Sequence, residues 1–390
     1  MLKSLVPYMK MIIFASVIKQ TIVLMKRIFL LFFCVLMSLI AFAQEPDVPG
    51  VDPTPTTSID ELLYKLNDAT LTAMVANGNS WVGNLTIPER VIYNGKTYTV
   101  DRIEWLAFDN CETLTKVTIP NTICGISSIS VDPNANKNPF VGCTNLESIE
   151  VAEDNPAFSS VEGVLYDKEM TMLCSYPAGA KRKSYTVPEG IKAIGGCAFS
   201  ECPYLVNIQL PQAVSTIYHS AFSRCEHLET VNIPAGIIHL SAMMFGFCVS
   251  LKDIVIPDGV KTIAEKVFYS CTSLRKIEVP ASVYLIGGLA FRGCTLDALV
   301  IRGHISEYLT KDVFAGLDVS TPLYVPASEV ARYQSVYSGT VLPLESYQAQ
   351  ISLPELSTGQ SLSYDLEGRR LQGRPAKGLY IENGRKRIVR

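Results

Sequence analysis

The hydrophobic positions between Ala198 and Cys294 recur every 23 residues, with polar positions in step between them. Phe199, Phe222, Phe245, Phe268 and Phe291 each stand three residues before a cysteine: Cys202, Cys225, Cys248, Cys271 and Cys294. The first four cysteines are followed by apolar triplets: Leu205, Ile208 and Leu210; Leu228, Val231 and Ile233; Leu251, Ile254 and Ile256; Leu274, Ile277 and Val279. Pro211, Pro234, Pro257 and Pro280 close those units. The last two members of each triplet alternate with outward positions, the period-2 pattern of a short strand. The stretch leading to each Ala-Phe pair predicts a turn that fills the core. Several columns in register over five units predict a solenoid of 23-residue coils, mostly β with irregular turns. No single coil can bury both of its apolar faces, so such an array needs capped ends.

The same template extends both ways. Ala107-Phe108, Cys111, Leu114, Val117, Ile119 and Pro120 fit every column. Pro139-Phe140, Cys143, Leu146, Ile149 and Val151 fit most of them after a longer spacing, with the excess in the polar run Ser128 to Asn138, read as a loop. Residues 155–188 depart from the template: 161–166 and 172–173 predict extra strands and Tyr176 to Gly179 a turn. After Cys294 the pattern degrades through Leu296, Leu299, Ile301, Val313-Phe314 and Leu323-Val325-Pro326. Ser328 to Tyr337 predicts a short helix with Ser328 as its N-cap. The repeats thus span 101–326, with a C-terminal cap over 327–350. Upstream, Leu62, Tyr64 and Leu66 alternate, and Asn77-Gly78 and Asn94-Gly95 are hairpin signals. Residues 59–100 are therefore expected to form an N-terminal β cap. Residues 351–390 predict a small β tail whose last turn is Asn383-Gly384.

The N-terminus carries a different pattern. Met25-Lys26-Arg27 precedes the apolar run Ile28 to Ala41, and Ala41-Phe42-Ala43 is a small-x-small cleavage site. Residues 1–43 read as a secretory signal peptide, with Met25 as an alternative start and an uncleaved anchor as the other reading. Residues 44–58 are a proline-rich linker. The expected location is outside the cytoplasm: outer surface, medium or periplasm.

Composition narrows the chemistry. The formal net charge is −3, which gives no electrostatic case for nucleic acid. The basic tail (Arg369, Arg370, Arg374, Lys377, Arg385, Lys386, Arg387 and Arg390) lacks interleaved stacking aromatics. One cysteine per repeat reads as a packing column of buried free thiols. A disulfide between neighbouring coils is the alternative. Zinc is disfavoured, since CxxC pairs are missing. His219, His227, His239 and His304 fall at different repeat phases, and no GxSxG, HExxH or P-loop accompanies them. The expectation is a non-enzymatic protein without cofactor or metal.

What remains is the outward strand face. By register it carries Lys116, Thr118, Ser148, Glu150, Asn207, Gln209, Thr230, Asn232, Asp253, Val255, Lys276, Glu278, Ala298 and Val300. The candidate ligand residues are Lys116, Thr118, Asn207, Gln209, Thr230, Asn232, Asp253, Lys276 and Glu278, a mixed polar set able to hydrogen-bond a protein or a glycan. Tyr218, Tyr269 and Tyr284 share no column, and core packing is expected of them.

Over about Val100 to Pro326, the columns A-F-x-x-C-x-x-L-x-x-V-x-I-P resemble the BspA-type bacterial leucine-rich repeat family. Ala221-Phe222-Ser223-Arg224-Cys225 and Ile194-Gly195-Gly196-Cys197-Ala198-Phe199 carry the closest wording. The resemblance implies a leucine-rich-repeat solenoid on a secreted or surface protein that adheres to host proteins or other cells. Asn155 to Gly179 is similar to an irregular insert of that family. Tyr364-Asp365-Leu366-Glu367-Gly368-Arg369-Arg370, with Lys377 to Ile381 and Gly384-Arg385-Lys386, resembles the C-terminal sorting tails of Bacteroidetes proteins, which route their carriers through the outer membrane. The expected function is adhesin-like binding of host or bacterial proteins through the repeat face. The alternative is an exported glycan-binding module for nutrient capture. The expected partner is an extracellular protein or glycan, with no nucleic acid and no membrane span in the mature chain.

Overall fold

The computed structural model describes residues 56–126, 138–306 and 308–347 in full, and beyond them only the backbone of 127, 348–351, 363–364, 370–371, 378–382 and 385–389. The expected signal peptide, most of the linker and most of the loop at 128–138 lie outside the described residues.

The N-terminal cap is a sheet of Thr56–Ile59, Leu62–Asn67, Thr72–Val75, Lys96–Glu104 and Arg90–Tyr93, in that order. Asn94 and Gly95 turn between the last two with φ of 48° and 74°, the left-handed pair that a tight hairpin needs. Asn77-Gly78 forms no such hairpin. The chain leaves the sheet there, and Gly83–Thr86 pairs in parallel with Leu114–Ile119. The repeat ladder therefore begins at Gly83, inside the stretch expected to be pure cap. Only Leu85 and Ile87 keep the apolar pattern there, too few positions for a repeat to be recognised.

Each coil of the regular array adds a rung to one of two kinds of parallel ladder. Ser184–Thr186, Asn207–Gln209 and Thr230–Val231 form one sheet. His239–Leu240, Thr262–Ile263 and Leu285–Ile286 form another on the second face. At the Ala-Phe corner the backbone also bonds from coil to coil: Phe222 N–H donates to Met244 O, Phe245 to Val267 O and Phe268 to Ala290 O. That corner needs two left-handed residues per coil: Ser220 and Arg224, Met243 and Phe247, Lys266 and Ser270. The phenylalanine rings stack along the core, with centroids 5.4, 5.4, 5.8 and 6.2 Å apart from Phe199 to Phe291.

The cysteine column has a specific reason. Cys225, Cys248, Cys271 and Cys294 donate their thiols to the carbonyls of Phe199, Phe222, Phe245 and Phe268 in the preceding coil, at 2.9, 3.0, 3.1 and 3.0 Å. Alanine would fill less of the space and lose the donor. The ten described cysteines are all free. Burial raises the Cys248 and Cys271 thiols well above their usual range and pushes Cys294 up to about 12.

The insert at 155–188 divides the hydrophobic interior. Phe158–Val161, Val164–Asp167 and Met172–Ser175 run antiparallel, and the last then pairs in parallel with Ala193–Ile194. Val164 and Tyr166 pack into the core of the regular array, whereas Leu165 packs into the N-terminal core. Residues 161–166, expected as one strand, are split by a turn at Glu162 and Gly163 (φ 51° and 79°). Tyr176 takes the phenylalanine place and stacks on Phe199 at 5.2 Å.

Where the repeat is irregular, buried asparagines replace the missing backbone pairing. Asn155 donates to Pro120 O and Ile123 O and accepts from the Ala157 and Phe158 N–H groups. Asn138 donates to Cys197 O and accepts from Phe140 N–H and the Ser175 hydroxyl. Asn79 joins Leu63, Ala76 and Ala107 in the same way. Each satisfies polar groups that would otherwise be buried unpaired.

At the C-terminal end, Ala298–Ile301, Leu323–Val325 and Val341–Pro343 add in parallel to Lys276–Val279. The helix expected from Ser328 to Tyr337 is shorter: a 3-10 turn at Ala327–Glu329 leads into α-helix Val330–Gln334. Ser328 lies within the turn and is not an N-cap. Phe314, Tyr333 and Tyr337 close the core. Residues 341–351, read only as cap and boundary, form a strand followed by helix Leu344–Ile351. Ala298 and Val300, expected outward, are buried against Tyr324 and Tyr347. The strand face thus ends where this helix covers it. In the tail, Gly378–Glu382 and Arg385–Val389 pair antiparallel around residues 383–384, as the hairpin signal predicts.

Candidate binding surface

The expected ligand residues do not form one uniform strip. Lys116 is held by Glu150 on the next rung at 2.5 Å. The Thr230 hydroxyl donates to Asn207 Oδ1 at 2.6 Å. Asn232 turns back to the chain, donating to Leu210 O and accepting from Leu210 N–H, so its side chain serves the scaffold. Thr118 is half-buried and Gln209 exposed. Asp253, Lys276 and Glu278 share a feature that the others lack.

The strand ladder opens between Asp253–Ile256 and Lys276–Val279. Thr230–Val231 is followed by a single bridge, Thr230 to Asp253, and Lys276–Val279 then starts a new sheet. The ladder on the second face stays closed across the same coils, from His239–Leu240 to Leu285–Ile286. A concavity of 440 Å³ fills the opening, lined by Asp253, Val255, Asp258, Lys276, Glu278 and Arg302 among others. Aspartate is a poor strand former, and Glu278 commits its carboxylate to Arg302 on the far side at 2.6 Å. Both favour loss of the rung.

The charges on the two walls differ. Burial works against the Glu278 carboxylate, but hydrogen bonds from Lys276 and Arg302 outweigh it and hold the group below the usual range. Burial likewise opposes the Lys276 ammonium, yet Glu278 and Tyr347 raise it. On the opposite wall Asp253 and Asp258 are exposed and make no ion pair among the described residues. Val255 between them is 79% exposed. Asp258 and Arg302 escaped sequence reasoning because they lie beyond the strands, after the closing apolar residue of each coil.

A second surface lies at the Ala-Phe corner. The Arg224 guanidinium stands 4.9 Å from the Phe247 ring, Phe247 lies 5.1 Å from Tyr269, and Arg292 covers Tyr269 at 5.8 Å. Tyr269 is half-buried at this surface and Tyr284 is exposed, so neither packs in the core as expected. Tyr218 does pack partly against the N-terminal core. Residues in neighbouring columns meet here because adjacent coils are closely stacked, a contact that a search within single columns does not find.

Residues 96–161 and 178–297 match the model of the BspA type leucine rich repeat region, in six copies. The fold is a leucine-rich-repeat solenoid. The gap between the two matched BspA-type stretches is occupied by most of the dividing hairpin and by Tyr176. Leucine-rich repeats of this kind serve protein interaction. Among solved structures, the chain is similar to a leucine-rich repeat protein from Bacteroides ovatus (24% identity, 74% of this chain and 77% of that one, TM-score 0.43). It is also similar to the pneumococcal vaccine antigen PcpA (17% identity, 74% and 98%, TM-score 0.42). A third is a leucine rich cell surface protein from Faecalibacterium prausnitzii (18% identity, 75% and 100%, TM-score 0.40). No curated protein matches the chain. Among the described residues, no helix is long and apolar enough to cross a membrane, and no group of three His, Cys, Asp or Glu is placed to hold a metal ion.

Proposed function

We propose that the chain is an exported, adhesin-like protein that binds a host or bacterial protein ligand through its strand face. The observation that supports this most is the opening beside Asp253, Lys276 and Glu278. It joins an exposed apolar residue, unpaired carboxylates and bare strand edges in one concavity, the mixture of features from which protein contacts are made. The purified protein is expected to bind extracellular-matrix proteins, mucin or bacterial surface proteins in an array screen at micromolar concentration. A blank array removes this reading.

A glycan ligand is the second reading, supported by the half-buried Phe247 and Tyr269 rings between Arg224 and Arg292. Aromatic faces with hydrogen-bond donors beside them suit a sugar. A glycan array on the wild-type protein and on Tyr269→Ala separates the two, since that substitution leaves the strand face untouched.

A further inference from the structure

We infer that the opening in the strand ladder receives an extended, basic segment of the partner protein, which pairs with the bare backbone of Asp253–Ile256. This rests on the protein-binding reading and names the site and the chemistry of the bound segment. Three observations lead to it.

The first is backbone accounting. In neighbouring coils the strand N–H and C=O groups are matched rung by rung, as between Asn207–Gln209 and Thr230–Val231 or between Lys276–Val279 and Ala298–Ile301. No backbone hydrogen bond joins Asp253–Ile256 to Lys276–Val279. Two parallel edges therefore face each other across the concavity with their polar groups unmatched by protein. An extended polypeptide supplies the complementary row of donors and acceptors, as in strand addition at a sheet edge.

The second is charge. Lys276 and Arg302 share the single Glu278 carboxylate, which leaves their wall with one net positive charge. Asp253 and Asp258 have no counter-ion among the described residues, so their two charges outweigh the one on the opposite wall, and the excess negative charge lies on the wall with the bare Asp253–Ile256 edge. Edge charges commonly keep strands from pairing indiscriminately. Two of one sign reject acidic segments and admit basic ones.

The third is side-chain alternation. Asp253 and Val255 point outward while Ile254 and Ile256 point into the core. Outward positions thus read carboxylate, then apolar. An added strand that alternates lysine with valine turns its lysines outward, where the charge reaches Asp253 or Asp258 and the methylene stem lies against Val255, and its valines inward beside Ile254 and Ile256.

The test is a fluorescence-anisotropy titration of the purified protein with three labelled hexapeptides. One alternates lysine and valine, one alternates glutamate and valine, and one is the lysine peptide N-methylated at alternate amides. The lysine peptide is expected to bind saturably, about tenfold tighter than the glutamate peptide. N-methylation removes the backbone donors and is expected to weaken binding about tenfold. The double variant Asp253→Asn/Asp258→Asn, both at exposed positions, should keep the melting temperature and lose most of the preference for lysine over glutamate. Equal binding of the N-methylated peptide overturns strand pairing, and an unchanged preference in the double variant overturns the site. If the peptides do not bind while an array protein still binds the wild type and the double variant alike, this inference fails and the protein-binding function stands.

Discussion

The array from Ala198 to Cys294 and the region from Thr56 to Pro188 contain the same kinds of rung but are held together differently. In the array every coil after the first repeats the solution of the one before it: a stacked phenylalanine, a thiol bonded to a carbonyl one coil back, and two left-handed corner residues. In the N-terminal region the coils of Phe108 and Phe140 share that solution, with the rings stacked at 5.5 Å and Cys143 donating to Phe108 O, but around them single buried side chains (Asn79, Asn138 and Asn155) supply the hydrogen bonds that repetition supplies elsewhere. Repetition spreads stability over many equivalent contacts. Irregularity concentrates it in a few residues that have no substitute.

The largest expected effect within the array is Phe245→Ala, which opens a cavity in the ring stack and should cost about 4 kcal/mol. Because each coil contacts only its neighbours, hydrogen exchange should speed up chiefly in the coils around it, with 56–126 little changed. Uniform acceleration across both regions would break the comparison. Asn155→Ala should cost about 3 kcal/mol, since it strands two carbonyls and two N–H groups in the interior. Its signature is the reverse: faster exchange in 115–175 and an array close to normal, read by the same method.

Cys271→Ala should cost about 1.5 kcal/mol, from lost volume and one lost donor. The thiol column also carries a pH signature. Burial raises these thiols in the fold, so their stabilising effect is complete below the unfolded thiol value of about 8.5 and falls as pH rises toward the folded values. For Cys294, pushed up to about 12, that loss runs from the unfolded value up to there. Denaturant midpoints measured from pH 8 to 11 should decline, and the decline should be shallower in Cys271→Ala. A thiol reagent at neutral pH should modify Cys124, which is exposed, well before the buried column.

The smallest effect concerns the corner. Ser270 holds a left-handed φ of 58°, and in the next coil Gly293 fills the same position. Ser270→Gly removes the Cβ penalty while adding chain entropy to the unfolded state, for a net gain of about 0.5 kcal/mol in thermal melts. A loss of stability there would show that the serine side chain, not the backbone, sets the corner.

The regular core was legible because burial is periodic. Phe199, Cys202, Leu205 and Ile208 repeat so faithfully that pattern alone places them inside. The early start at Gly83 was not legible, because two apolar residues do not make a pattern. The candidate face was half legible. Register placed Asp253, Lys276 and Glu278 outward, but it placed Ala298 and Val300 outward as well, and a helix some 45 residues later in the chain covers those two.

Sequence by itself determined the repeating coil, the phenylalanine and cysteine columns, and the solenoid they build, since those follow from which residues prefer burial at a fixed period. Tertiary structure alone decided where neighbouring rungs part, which coils are joined by asparagine instead of ladder, and which outward residues stay exposed. Those outcomes depend on how one coil meets the next and on what folds back over it. The period of a single chain carries no information about either.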